Sequence, residues 1–201
     1  MNPEHKMRFS NSLLKGYMER CIELTHNMPS ALPHPYVGAI VVASDGKVIG
    51  EGYRSFVPDT SLLMHAERMA INSAKAPTKG ATLVSTLEPC YKRLKRNVIF
   101  KSCSEMIVEA GIACVVMGSL DNAPSMEYMA GSDYLSRHGI EVVVFNGLQD
   151  YITNHLSRPG RTRSFTAKHT GPTYRRELEE AFNLLAFEHG QSRVNRNRNS
   201  F

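Results

Sequence analysis

Across residues 11–26 the apolar side chains Leu13, Leu14, Tyr17, Met18, Cys21, Ile22 and Leu24 recur three or four positions apart. That spacing predicts an amphipathic helix, ended by Met28-Pro29. The run Val37-Gly38-Ala39-Ile40-Val41-Val42 is short, apolar and rich in β-branched residues, as a buried strand is. Ser44-Asp45-Gly46-Lys47 is a tight-turn signal, so 48–53 is expected to return as the second strand of a hairpin. Helical spacing resumes in Leu63, Ala66, Met69, Ala70 and Ala74 and predicts a helix over 62–74, broken by Pro77-Thr78-Lys79-Gly80.

A third strand is expected over 81–86, with Pro89-Cys90 just beyond its carboxyl end. Residues 103–110 read as a helix closed by Gly111, and 113–117 as a fourth strand. A helix over 128–137 ends at Gly139, and 140–145 supply a fifth strand. This alternation predicts an α/β layered domain with helices on both faces of a mixed sheet. The stretch 147–173 has no period and reads as a linker or loop. Leu178, Ala181, Phe182, Leu185 and Phe187 mark an amphipathic C-terminal helix over 174–190, and the tail 191–201 reads as disordered.

At 201 residues the chain fits one domain with an appendage, and 42% hydrophobic residues suffice for a packed core. No run approaches the roughly 20 apolar residues that cross a bilayer, and the polar start Met1-Asn2-Pro3-Glu4-His5-Lys6 lacks a signal-peptide apolar region. The expectation is a cytoplasmic protein with no membrane partner. Cys21, Cys90, Cys103 and Cys114 are too scattered for a disulfide scaffold, and metal binding is the better use of two of them. The net charge of +5 gathers in Lys92-Arg93-Leu94-Lys95-Arg96 and in an arginine-rich tail. Such clusters suit a phosphorylated small molecule as well as a polynucleotide.

The chemistry concentrates in His65-Ala66-Glu67, Pro89-Cys90 and Cys103. One histidine and two cysteines supply three ligands to a tetrahedral zinc and leave the fourth position for water. Glu67, too close to His65 to share the ion comfortably, is the candidate catalytic acid–base. Helix N-termini at His65 and Cys103 are expected to favour thiolate over thiol. A lone buried cysteine is usually a small hydrophobe, the reading given to Cys21 and Cys114.

With these motifs the chain resembles the cytidine-deaminase-like superfamily, and within it the pyrimidine deaminase domain of riboflavin biosynthesis. Pro33-His34-Pro35-Tyr36-Val37-Gly38-Ala39, Gly50-Glu51-Gly52-Tyr53 with His65-Ala66-Glu67, Thr86-Leu87-Glu88-Pro89-Cys90, the helix from Cys103 and Asp121-Asn122-Ala123-Pro124 carry the resemblance. It implies a three-layer α/β/α cytidine-deaminase-like fold with a five-stranded mixed sheet over 10–146, zinc as cofactor, and a homo-oligomer. It also implies a substrate pocket formed by His34, Ala66, Glu88, Lys92, Arg93, Asp121 and Asn122. Three features depart from the family pattern. Twelve residues, 91–102, separate the two cysteines, more than is usual; Lys92 replaces a histidine, and His34 an asparagine. The chain is expected to lack the reductase domain often fused to such deaminases.

The resemblance implies a zinc-dependent hydrolase that deaminates a small-molecule aminopyrimidine nucleotide or related base. Deamination of a base within RNA or DNA is the alternative, but only Tyr91 and Phe100 flank the basic cluster, few for a stacking platform. An inactive zinc module is a third reading, against which Glu67 argues, since a structural site has no need of that acid.

Overall fold

Ser10 opens the first helix, its Oγ accepting the Leu13 N–H at 3.3 Å. Helix α1 (Asn11–Leu24) buries Leu14, Tyr17, Met18, Cys21, Ile22 and Leu24, whereas Leu13 is exposed. The last residues of the expected helix tighten into a 3₁₀ turn at Thr25–Asn27. The computed structural model describes residues 9–28, 32, 35–56, 63–91, 101–121 and 130–148. The chain divides into two compact units, residues 1–55 with 64–162 and residues 56–63 with 163–201. Apart from Phe56 and Leu63 the described residues belong to the first unit, which is the one analysed below. The expected C-terminal helix over 174–190 and the tail lie outside the described residues, as does the linker beyond residue 148.

Strands β1 (Gly38–Val42) and β2 (Val48–Tyr53) form the expected antiparallel hairpin, with Gly46 at φ 85° in its turn. Two short strands, β3 (Ser55–Phe56) and β4 (Leu63–Met64), precede α2 (Ala66–Asn72). Then follow β5 (Thr82–Ser85), α3 (Cys103–Glu109), β6 (Cys114–Met117), α4 (Gly131–Arg137) and β7 (Glu141–Val144). The five-stranded sheet has the order β2-β1-β5-β6-β7. β1 is antiparallel to β2 and β5, while β5, β6 and β7 are parallel, so the sheet is mixed as expected.

Period-two alternation splits the core between the two faces of the sheet. Ile40, Val42, Val84 and Val116 face α1 and pack with Met18, Cys21 and Ile22. Ala39, Val41, Leu83, Val115 and Met117 face the other way, with Ala66 and Ala70 of α2, Ile107 of α3 and Leu135 of α4. Cys21 and Cys114 are buried members of the α1-side core, as small hydrophobes. The layers are therefore α/β/α. No helix among the described residues is long and apolar enough to cross a membrane.

The helix expected over 62–74 begins only at Ala66. Leu63 and Met64 are extended, and His65 stands at φ −79° and ψ 150°, so its backbone turns the chain from strand into helix. Apolar residues at 63 and 64 fell in phase with the helix by spacing alone. Helix α4 likewise begins at Gly131 rather than 128, after an extended Ala130.

Candidate metal centre

Three chain segments meet where β5 ends and α2 and α3 begin. β1 fixes the exit of β5: Thr86 N–H donates to Gly38 O at 3.0 Å, and Gly38 N–H donates to Thr86 Oγ1 at 3.2 Å. Four residues on is Cys90. Helix α2 lies close against β2 because Gly52 has no side chain; a Cβ there would come within 2.4 Å of Ala66 O and of Ala70 N. This sets His65, at the N-cap of α2, and Glu67 in its first turn. Helix α3 starts with a capping box: Ser102 Oγ accepts the Glu105 N–H at 3.2 Å and Glu105 Oε2 accepts the Ser102 N–H at 2.8 Å. Cys103 is its first residue. Ser104 then joins the two cysteine segments. Its N–H donates to Cys90 O at 3.1 Å and its hydroxyl to Pro89 O at 3.1 Å.

His65, Cys90 and Cys103 come together so that one ligand atom from each lies within 4.8 Å of the others. A tetrahedral zinc with metal–sulfur bonds of about 2.3 Å and a metal–nitrogen bond of about 2.0 Å separates sulfur from nitrogen by roughly 3.5 Å. His65 Nδ1 lies 3.5 Å from Cys90 Sγ and 3.4 Å from Cys103 Sγ. The donor set fits zinc in chemistry and in spacing.

The charges of these groups depend on one another. The Cys103 side chain and His65 hold the Cys90 thiol well below its usual range. The same contact with Cys90, together with burial, pushes the Cys103 thiol up. The expectation that a helix N-terminus makes Cys103 a thiolate is thereby corrected: α3 is short, Cys103 is buried, and a second thiolate beside Cys90 is costly without a cation. The hydrogen bond with Cys90 raises His65 against the effect of burial. Metal binding at such a set releases protons. Glu67, only 3% exposed, is pushed up to about 7, chiefly by desolvation, with His65 acting in the opposite direction.

The ligands border a cavity of about 360 Å³ lined by Pro35, Val37, Arg54, His65, Ala66, Glu67, Leu87, Glu88, Cys90 and Asp121. Ala66, Glu88 and Asp121 of the expected substrate residues are thus at its wall, while His34, Lys92, Arg93 and Asn122 lie outside the described residues. Both Glu88 carboxylate oxygens accept backbone N–H groups, from Ser132 at 2.8 Å and Asp121 at 3.0 Å. Sequence reasoning missed Arg54, whose signal was a lone cation at the carboxyl end of a strand. It also missed Tyr91 stacking on Tyr134 of α4, with ring centroids 3.9 Å apart.

The family model of the cytidine and deoxycytidylate deaminase zinc-binding region matches residues 11–119. A riboflavin biosynthesis protein RibD of Aquifex aeolicus is 38% identical over 131 residues, 65% of this chain and 34% of the relative. The chain thus spans about a third of that relative's length. A diaminohydroxyphosphoribosylamino-pyrimidine deaminase of Buchnera aphidicola is 34% identical over 129 residues, 64% of this chain and 81% of the relative. In three dimensions the chain is similar to a diaminohydroxyphosphoribosylaminopyrimidine deaminase/5-amino-6-(5-phosphoribosylamino)uracil reductase of Thermotoga maritima. There the TM-score is 0.60 and the identity 35%, over 73% of this chain and 40% of the other.

Proposed function

The chain belongs to the family of the cytidine and deoxycytidylate deaminase zinc-binding region, and from that premise we propose that it hydrolytically deaminates an aminopyrimidine nucleotide or related small-molecule base, releasing ammonia. The observation that carries this reading is a buried acid, Glu67, beside His65, Cys90 and Cys103 on one enclosed cavity.

His65, Cys90 and Cys103 would hold zinc, which when bound supplies a Lewis acid that makes water a nucleophile near neutral pH. Glu67 handles the protons. With a carboxyl titrating near 7, it takes a proton from the attacking water and returns protons to the ring nitrogen and the leaving amine. Val37, Leu87 and Pro35 give the cavity apolar wall against which a flat heterocycle packs, and the cavity's small size favours a single base over a polynucleotide. Glu88 holds Asp121 at the wall through its backbone N–H. The phosphorylated pyrimidine in the names of the relatives is in keeping with Lys92 and Arg93, which follow Cys90 closely in sequence and are assigned to the phosphate.

The test is ammonia release from the zinc-loaded protein across amino-substituted pyrimidines and purines, offered as base, nucleoside, nucleotide and oligonucleotide. Release from a pyrimidine nucleotide is expected. Release confined to oligonucleotides, or from nothing in the panel, overturns the reading.

A further inference from the structure

Arg54 follows β2 directly, and the segment that opens β1 holds it at two points. Its backbone N–H donates to Val37 O at 2.9 Å and its Nη1 to Pro35 O at 3.1 Å. Pro35, Val37 and Arg54 all line the cavity that His65, Ala66 and Glu67 border. Apart from His65, Arg54 is the cationic side chain among the described lining residues; the charged others, Glu67, Glu88 and Asp121, are acids. An acid repels an oxygen acceptor, and both oxygens of Glu88 already accept backbone N–H groups. A guanidinium carries five donors in a rigid fork and no acceptor, so it matches a planar group that presents oxygen.

We propose that Arg54 is a specificity-determining residue that reads the heterocycle, donating to a ring carbonyl adjacent to the amidine that is deaminated. This rests on the deaminase reading and names the base it selects: an aminopyrimidinone rather than an amino-substituted ring without the carbonyl. Two observations favour the ring over a phosphate as the source of the oxygen. Arg54 lies at the reacting end of the cavity, close enough that the Glu67 charge raises its pKa while burial lowers it, and its charge acts on His65. A nucleotide's phosphate stands at the far end of the molecule from the carbon that is attacked. The half-buried position also makes the choice sharp, because a ring lacking the carbonyl leaves desolvated donors unanswered.

The experiment measures binding, so that it does not depend on turnover. Calorimetry on the zinc-loaded E67Q protein, with and without R54M, uses an aminopyrimidinone nucleoside and its counterpart with hydrogen in place of the carbonyl. The phosphorylated form of each is measured alongside. R54M is expected to weaken the carbonyl-bearing ligands by about 10- to 100-fold and the others by less than about threefold, with or without phosphate. R54K is expected to recover part of the loss. Zinc content and melting temperature, read on R54M and R54Q, separate a damaged fold from a lost contact. Equal weakening of both rings, a loss that follows the phosphate, or no binding of any ligand without R54M overturns the assignment. Selective binding through Arg54 by a protein that releases no ammonia would instead refute the deaminase reading and leave this one standing.

Discussion

Glu67 is the residue on which the chemistry turns. Glu67→Gln keeps the shape and the metal ligands but cannot move a proton, so zinc content is expected to stay unchanged while kcat falls by roughly 10²–10⁴-fold. Turnover within a few fold of wild type would remove the acid–base role. Burial gives the same variant a stability signature. A folded-state pKa raised to about 7 means that wild-type stability declines as pH rises from the unfolded value of 4.5 towards 7. Glutamine has no such loss, so Glu67→Gln should unfold at an equal or higher temperature at pH 8, the difference shrinking below about pH 4.5. Cys103→Ala is expected to lose stoichiometric zinc, as elemental analysis would show; retained zinc would make Cys103 dispensable. His65, Glu67, Cys90 and Cys103 were legible because their chemistry is written in short local motifs. Arg54 was not, since its place at the cavity follows from β2 ending beside residues 35–37, which no local pattern encodes. The thiol state of Cys103 was misread for a similar reason: spacing reveals a helix start but not a neighbouring sulfur.

At the scale of elements, the site depends on how closely α3 and α4 approach the Cys90 segment. Gly131, the first residue of α4, sits against Pro89; a Cβ there would come within 1.7 Å of Pro89 O and 3.0 Å of Ser104 Oγ. Since both atoms belong to the network holding Cys90 beside Cys103, Gly131→Ala is expected to force α4 and the cysteine segment apart. Zinc should bind about tenfold more weakly, a typical second-shell effect, as competition with a chelating dye would measure. Unchanged affinity would mean that α4 yields instead. The strands were readable because β-branched runs bounded by turn residues have few other fates. Helix starts were less so. The phase of Leu63 with Ala66, Met69 and Ala70 disguised a strand-to-helix switch that only the extended backbone of His65 discloses.

Across the whole molecule, one sheet carries a core on each side, and zinc would join β5, α2 and α3 on one of them. Ligand occupancy at about a hundred times the dissociation constant adds about 2.7 kcal/mol of stability. Chelation is therefore expected to lower the melting temperature by roughly 5–10 °C in scanning calorimetry. No shift would mean that the three residues hold no structural share of the metal's binding energy. The mixed strand order was foreseeable from the alternation of strands and helices. The division of the core was not stated in advance, although β1 spells it out residue by residue, with Ala39 and Val41 on one side and Ile40 and Val42 on the other.

The carboxylate of Glu88, taking one backbone N–H from residue 121 and another from residue 132, has a consequence for descent. It clips both feet of the intervening stretch to a buried point, whatever that stretch contains. Cys90 and Cys103, bonded through Ser104, do the same for residues 91–102. With the feet fixed, doubling such a stretch costs only about 0.6 kcal/mol in closure entropy. A lineage can therefore lengthen, shorten or recharge these two stretches beside the cavity while the metal ligands stay in register. Diversification of substrate would then proceed by exchanging cassettes, with the hydrolytic machinery inherited intact.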